Sequence, residues 1–91
     1  MDTVNFDRAK LLAEDRVAQL GESAGEEFKI VAEATREIDQ GWLFFYNSAE
    51  FVRTRNPSSR LAGNGPILIA RDGVVHELPS AIPWSDAVKR L

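Results

Sequence analysis

Two short segments leave this chain few ways to fold. In WLFFYN, residues 42–47, Trp42, Phe44 and Tyr46 would line one face of a strand, and Leu43 and Phe45 the other. ILIA, residues 67–70, is likewise apolar on both faces. Such strands need cover on both sides, because a bare face would leave aliphatic and aromatic surface in water. The chain must therefore layer something onto each side of a sheet. With 91 residues it must do so as one domain, residues 1–91. A composition of 44% apolar and 27% charged residues suits a soluble protein with one modest core.

The flanking segments predict what the layers are. Residues 5–20 place Phe6, Ala9, Ala13, Val17 and Leu20 in steps of three and four, the stripe of a helix. Asn5 suits its N-cap, Asp7 its positive end, and Gly21 its stop. Along residues 27–37, Phe28, Ile30, Ala32 and Ala34 alternate with Lys29, Val31, Glu33 and Thr35, which predicts a strand. A turn at residues 38–41 leads into the aromatic strand, which residues 48–53 prolong irregularly. The longest loop, residues 54–65, contains Pro57 and two glycines. Asp72-Gly73 predicts a two-residue hairpin between ILIA and a fourth strand, VVHEL. Residues 84–91 predict a short closing helix capped by Ser85.

The expected fold is α+β: an N-terminal helix, a four-stranded antiparallel meander and a short C-terminal helix. The first helix can cover one face of the sheet. The closing helix has only about two turns for the other. Leu43, Phe45 and Leu68, with Val31 or Val75, are then expected to be partly bare. Either that patch meets a partner, or the long loop folds over it with Phe51, Val52 and Leu61.

Composition excludes several chemistries. There is no cysteine, hence no disulfide, thiolate nucleophile or cysteine zinc site. Glu14-Asp15 and Glu26-Glu27 are adjacent pairs that diverge, so no metal site is expected. His76, the one histidine, would sit beside Val74 and Leu78 as a packed strand residue with no local catalytic partner. Gly63-Asn64-Gly65-Pro66 precedes a strand instead of opening a helix, so it does not predict a phosphate cradle. Its glycines and Asn64 fit unusual backbone angles, and Pro66 fits the first position of a strand.

Charge is divided unevenly. Residues 1–50 carry 11 acidic and 5 basic side chains; residues 51–91 carry 3 acidic and 6 basic ones, including Arg53, Arg55, Arg60 and Arg71. That split fits either a basic and an acidic partner or a mixed solvated surface. An overall charge of −3 argues against a nucleic-acid partner. No apolar run is long enough for a membrane span, and MDTVNFDRAK lacks the pattern of a signal peptide, so the cytoplasm is the expected compartment.

The order of these features resembles a known family. Gly41-Trp42 with its aromatic strand, then Leu61-Ala62-Gly63-Asn64-Gly65-Pro66, an apolar strand and Asp72-Gly73 look like the YrhB-like immunity protein 35 family of bacteria. The similarity covers nearly the whole chain. It implies a small α+β protein, without cofactor, encoded beside a toxin gene in a polymorphic toxin system. It also implies that the protein binds and neutralises that toxin, one with a peptidase-like domain, in the producing cell. Trp42, Gly63, Asn64, Gly65, Pro66, Asp72 and Gly73 are then expected to define the fold. Tight inhibition calls for a few aromatic or arginine anchors, and Phe51, Arg53, Arg55, Arg60 and Trp84 are the candidates. A chaperone-like interaction module and an enzyme that reverses toxin damage are the rival readings. A homodimer would also bury a bare sheet face.

Overall fold

The N-terminal helix forms on the predicted stripe but runs a turn further. A computed structural model of the chain describes residues 3–61 and 63–91; Met1, Asp2 and the motif residue Ala62 lie outside the described residues. Helix α1 spans Phe6–Ala24, and the Asn5 side-chain oxygen accepts from the Arg8 N–H at 2.8 Å. Gly21 does not stop it. The stop is Gly25, in the left-handed region at φ 74°. Gly21 is instead buried in the helix, where a Cβ would come within 2.6 Å of the Glu26 carbonyl oxygen.

The single strand expected over residues 27–37 is two strands. β1 (Phe28–Ile30) and β2 (Arg36–Ile38) are separated by a 3-10 turn at Ala32–Ala34. The alternation is genuine, but alanine adds little to a sheet, and the turn moves the chain from one sheet to another. The aromatic run also divides, into β3 (Gly41–Phe44) and β4 (Tyr46–Ser48). β3 pairs with β5 (Ile67–Ala70) up to Phe44 opposite Ile67. The next position that would face β3 is Gly65, opposite Tyr46, and there the Tyr46 carbonyl accepts from the Asn64 side-chain amide instead. Past that point β4 pairs with β1 instead.

A four-stranded antiparallel sheet results, in the order β2-β3-β5-β6, with β6 at Val75–Glu77; β1 and β4 form a two-stranded ribbon. The α+β class is as expected. Three local expectations are corrected. Residues 48–53 do not prolong a strand: α2 spans Ala49–Thr54, capped by Ser48. Asp72-Gly73 belongs to a three-residue hairpin loop, in which Ala70 N–H donates to Val74 O and only Gly73 has a positive φ. Ser85 lies inside α3 (Trp84–Ala87), whose N-cap is Pro83, and a 3-10 turn at Val88–Arg90 follows.

The two sheet faces carry separate cores. Trp42, Phe44, Ile67 and Ile69 pack beneath Ala9, Ala13 and Val17 of α1. On the opposite face Leu43 and Leu68 pack with Leu78, Ala87 and Val88, flanked by Ile38, Phe45, Ile82 and Trp84. The bare face expected there is largely covered: Leu43 and Leu68 are both 0% exposed, while Phe45 and Val31 stay half-buried, as expected. Its cover is not the long loop. Residues 78–88 lie across it, and small side chains at Ala87 and Val88 let a very short helix sit close. Val75 packs on the α1 side.

Candidate functional site

Between β3 and β5 the chain leaves the sheet through β4, α2 and a 3-10 turn at Pro57–Ser59. Three consecutive β4 residues hold this excursion. The Tyr46 carbonyl accepts from Asn64 Nδ2 at 2.9 Å. Asn47 Oδ1 accepts from Leu61 N–H at 2.7 Å and from Ser48 N–H at 2.9 Å. Ser48 Oγ accepts from Phe51 N–H at 3.1 Å, capping α2, and donates to the Ser59 carbonyl. Ser48 is itself buried, so one hydroxyl fixes both the start of α2 and the turn beyond it.

This pinning brings Arg53, on the last turn of α2, to the same cleft as Arg60, which follows the 3-10 turn. The cleft has about 600 Å³ and is lined also by Glu26, Glu27, Ser58 and Leu61. Among the described residues, neither Arg53 nor Arg60 forms an ion pair. Guanidinium groups carry donors that suit carboxylates or backbone carbonyls.

The remaining candidates lie elsewhere. Arg55 caps the C-terminus of α2 at φ 60°, the left-handed region that costs a residue with a Cβ roughly 1–2 kcal/mol. Its side chain pairs with Glu33 and lies 5.7 Å from the centre of the half-buried Phe51 ring. A backbone hydrogen bond at Glu33 and the Arg55 guanidinium hold the Glu33 carboxyl below the ordinary carboxylate range. Trp84 is not part of the cleft. It packs on the second core, with the Arg36 guanidinium 5.4 Å from its ring. Arg71 is occupied by the fold: it lies 4.8 Å from the Trp42 ring and donates to Glu37 and to the Ile38 carbonyl.

The motif residues each have a structural position. Trp42 is core. Gly63 has φ 79°, whereas Gly65 is needed for space, since a Cβ there would collide with the Leu78 carbonyl. Asn64 does not use the left-handed region; it serves through its amide. Pro66 accepts from Leu78 N–H at 3.0 Å as the strand begins. Asp72 Oδ1 accepts from Val74 N–H at 3.1 Å. Beside the motif, Tyr46 has its hydroxyl pKa raised, first by burial and then by the Glu77 carboxylate, with Asn64 opposing. Sequence reasoning missed Asn47, Ser48 and Glu33. Only Ser48 left a usable signal: a serine followed by Ala49-Glu50, the start of a capped helix.

These features define a small α+β protein that presents a polar cleft on a hydrogen-bonded loop. Residues 7–89 match the family model described as immunity protein 35, and the chain belongs to that family. It is also 40% identical over 50 residues to the uncharacterized protein YrhB of Escherichia coli (strain K12). That match covers 54% of this chain and 53% of the relative, about half the length of each. No solved structure matches it. Among the described residues, no helix is long and apolar enough to cross a membrane.

Proposed function

We propose that this protein is a non-enzymatic immunity protein that binds a cognate toxin and neutralises it in the cytoplasm of the bacterium that makes both. The observation that carries this reading is the pair of free guanidinium groups, Arg53 and Arg60, on a loop pinned by β4. A surface already ordered before binding loses less conformational entropy on association. Membership of the immunity protein 35 family supports the same reading. The toxin surface that fits offers carboxylates or carbonyls to Arg53 and Arg60 and donors to Glu26, Glu27 and Glu50 of the same cleft, and the toxin class is peptidase-like. Phe51 and Arg55 flank the contact, and inhibition is by covering the toxin's active site.

Co-expression with the toxic domain encoded beside this gene tests the proposal. Protection is expected from the native chain. It should fail, with binding weakened by tenfold or more, in Arg53→Glu/Arg60→Glu, while circular dichroism stays unchanged. Undiminished cell death with the native chain would overturn the reading. Full protection by the double variant would remove the cleft from it. The chaperone-like rival rested on a bare sheet face, of which Leu43 and Leu68 are fully covered and Phe45 and Val31 half-buried.

A further inference from the structure

A second groove, on the side of β1 away from β4, shares Glu26 and Glu27 with the arginine cleft and combines three features that the immunity reading does not use. It runs between α1 and β1 with about 600 Å³ of space. Val17, Ala18, Phe28 and Ile30 supply its apolar lining, and Glu14, Glu22, Glu26 and Glu27 its charge. Lys29 is the one basic residue lining it, and that ammonium already faces Glu27 at 3.6 Å.

The end of α1 adds to the negative potential. A helix C-terminus carries the partial charge of its unpaired carbonyls, which a lysine or arginine in the last turn normally offsets. The last turn of α1 has no basic residue; Glu22 stands there instead. Stability is forgone at a place where a cation from outside would supply it.

The backbone of β1 points the same way. Val31 N–H donates to the Phe45 carbonyl and Ala49 N–H to the Glu27 carbonyl, so residues 27, 29 and 31 face β4. In an antiparallel pair the alternate residues, Phe28 and Ile30, then turn their N–H and C=O groups to the free edge. Gly21 keeps α1 close to the Phe28 end, where a Cβ would lie 3.2 Å from Phe28 N. The edge is therefore most open at Ile30.

We propose that this groove docks an extended basic segment of a partner protein, with lysine or arginine alternating with apolar residues. The cations meet Glu22, Glu26 and the α1 C-terminus, the apolar residues meet Val17, Ala18 and Ile30, and the segment's backbone pairs with Ile30. A second copy of this chain is the wrong occupant, because pairing edge to edge would bring two acidic rims together.

The test uses the full chain and two end-blocked octapeptides, one alternating lysine with valine and one alternating glutamate with valine. Calorimetry should show binding of the lysine peptide alone, weakening as salt is added. The Ile30 amide should shift in NMR spectra and exchange more slowly in the complex. Glu22→Lys/Glu26→Lys, and separately Glu14→Lys, should each weaken binding, the double variant by at least tenfold. No binding of the lysine peptide, equal binding of both peptides, or an unmoved Ile30 amide would overturn the proposal. So would a dimer in sedimentation that protects Ile30 without peptide.

Discussion

Strands β3 and β5 are neighbours in the sheet, yet the chain travels through residues 45–66 between them, and the two regions are held by different forces. In the sheet, β3 is buried along its whole length and β5 along Ile67–Ile69, with an apolar core on either face. In the excursion the one buried residue among those described is Ser48, and the holding contacts are hydrogen bonds from β4. Each such bond contributes about 0.5–1.5 kcal/mol net, whereas one fully buried leucine contributes about 1.5–3 kcal/mol. A long excursion can thus be ordered without a core of its own. The consequence is that it opens at lower free energy than the sheet it leaves.

The largest expected effect lies in the sheet. Leu68→Ala, at a fully buried position, should cost about 2–5 kcal/mol in urea unfolding, and all sheet amides should lose protection together. A cost under about 1 kcal/mol would show that residues 78–88 cover that face only loosely. Next comes Gly65→Ala, at the point where the excursion rejoins β5. The added Cβ meets the Leu78 carbonyl, and a loss of about 2–3 kcal/mol in the same assay is expected.

Ser48→Ala should cost about 1–2 kcal/mol, since it removes the cap of α2 and the donor to Ser59. Its signature is local. Amide exchange at residues 49–61 should accelerate while β3 and β5 stay protected, and uniform acceleration would contradict the contrast between the two regions.

The smallest effect is electrostatic. Glu33 has a lowered carboxyl pKa in the folded chain, so its contribution is present above the ordinary carboxylate range and is lost as pH falls through the lowered value. Carbon-detected NMR titration should find that value, and Arg55→Ala should move it up towards the ordinary range. An unmoved titration would assign the shift to the backbone hydrogen bond alone.

Much of the scaffold was legible from residue pattern because it depends on local chemistry and on which atoms avoid water. The α1 stripe, the Asn5 cap, the two-faced strands and the turn at Gly73 follow from periodicity, capping and positive φ. The family, too, was readable in the order of residues 41–73, and the match over residues 7–89 supports it. Less of the candidate site was legible. The arginines were visible as a charge bias, but which of them stay free depends on partners distant in sequence. Glu37 occupies Arg71 across 34 residues, and Glu33 occupies Arg55 across 22.

The sequence by itself determined that both faces of a central sheet must be covered. Only the tertiary structure decided how: Leu78, a helix of four residues and the 3-10 turn after it suffice for Leu43 and Leu68, with Ala87 and Val88 allowing close approach. It also decided that Gly21 and Gly65 are glycines for space, since such collisions arise only when separate segments meet. Arg53 and Arg60 share a cleft for the same reason. Six residues lie between them in the chain, and the Ser48 hydroxyl, bonded to both sides of the excursion, brings them together.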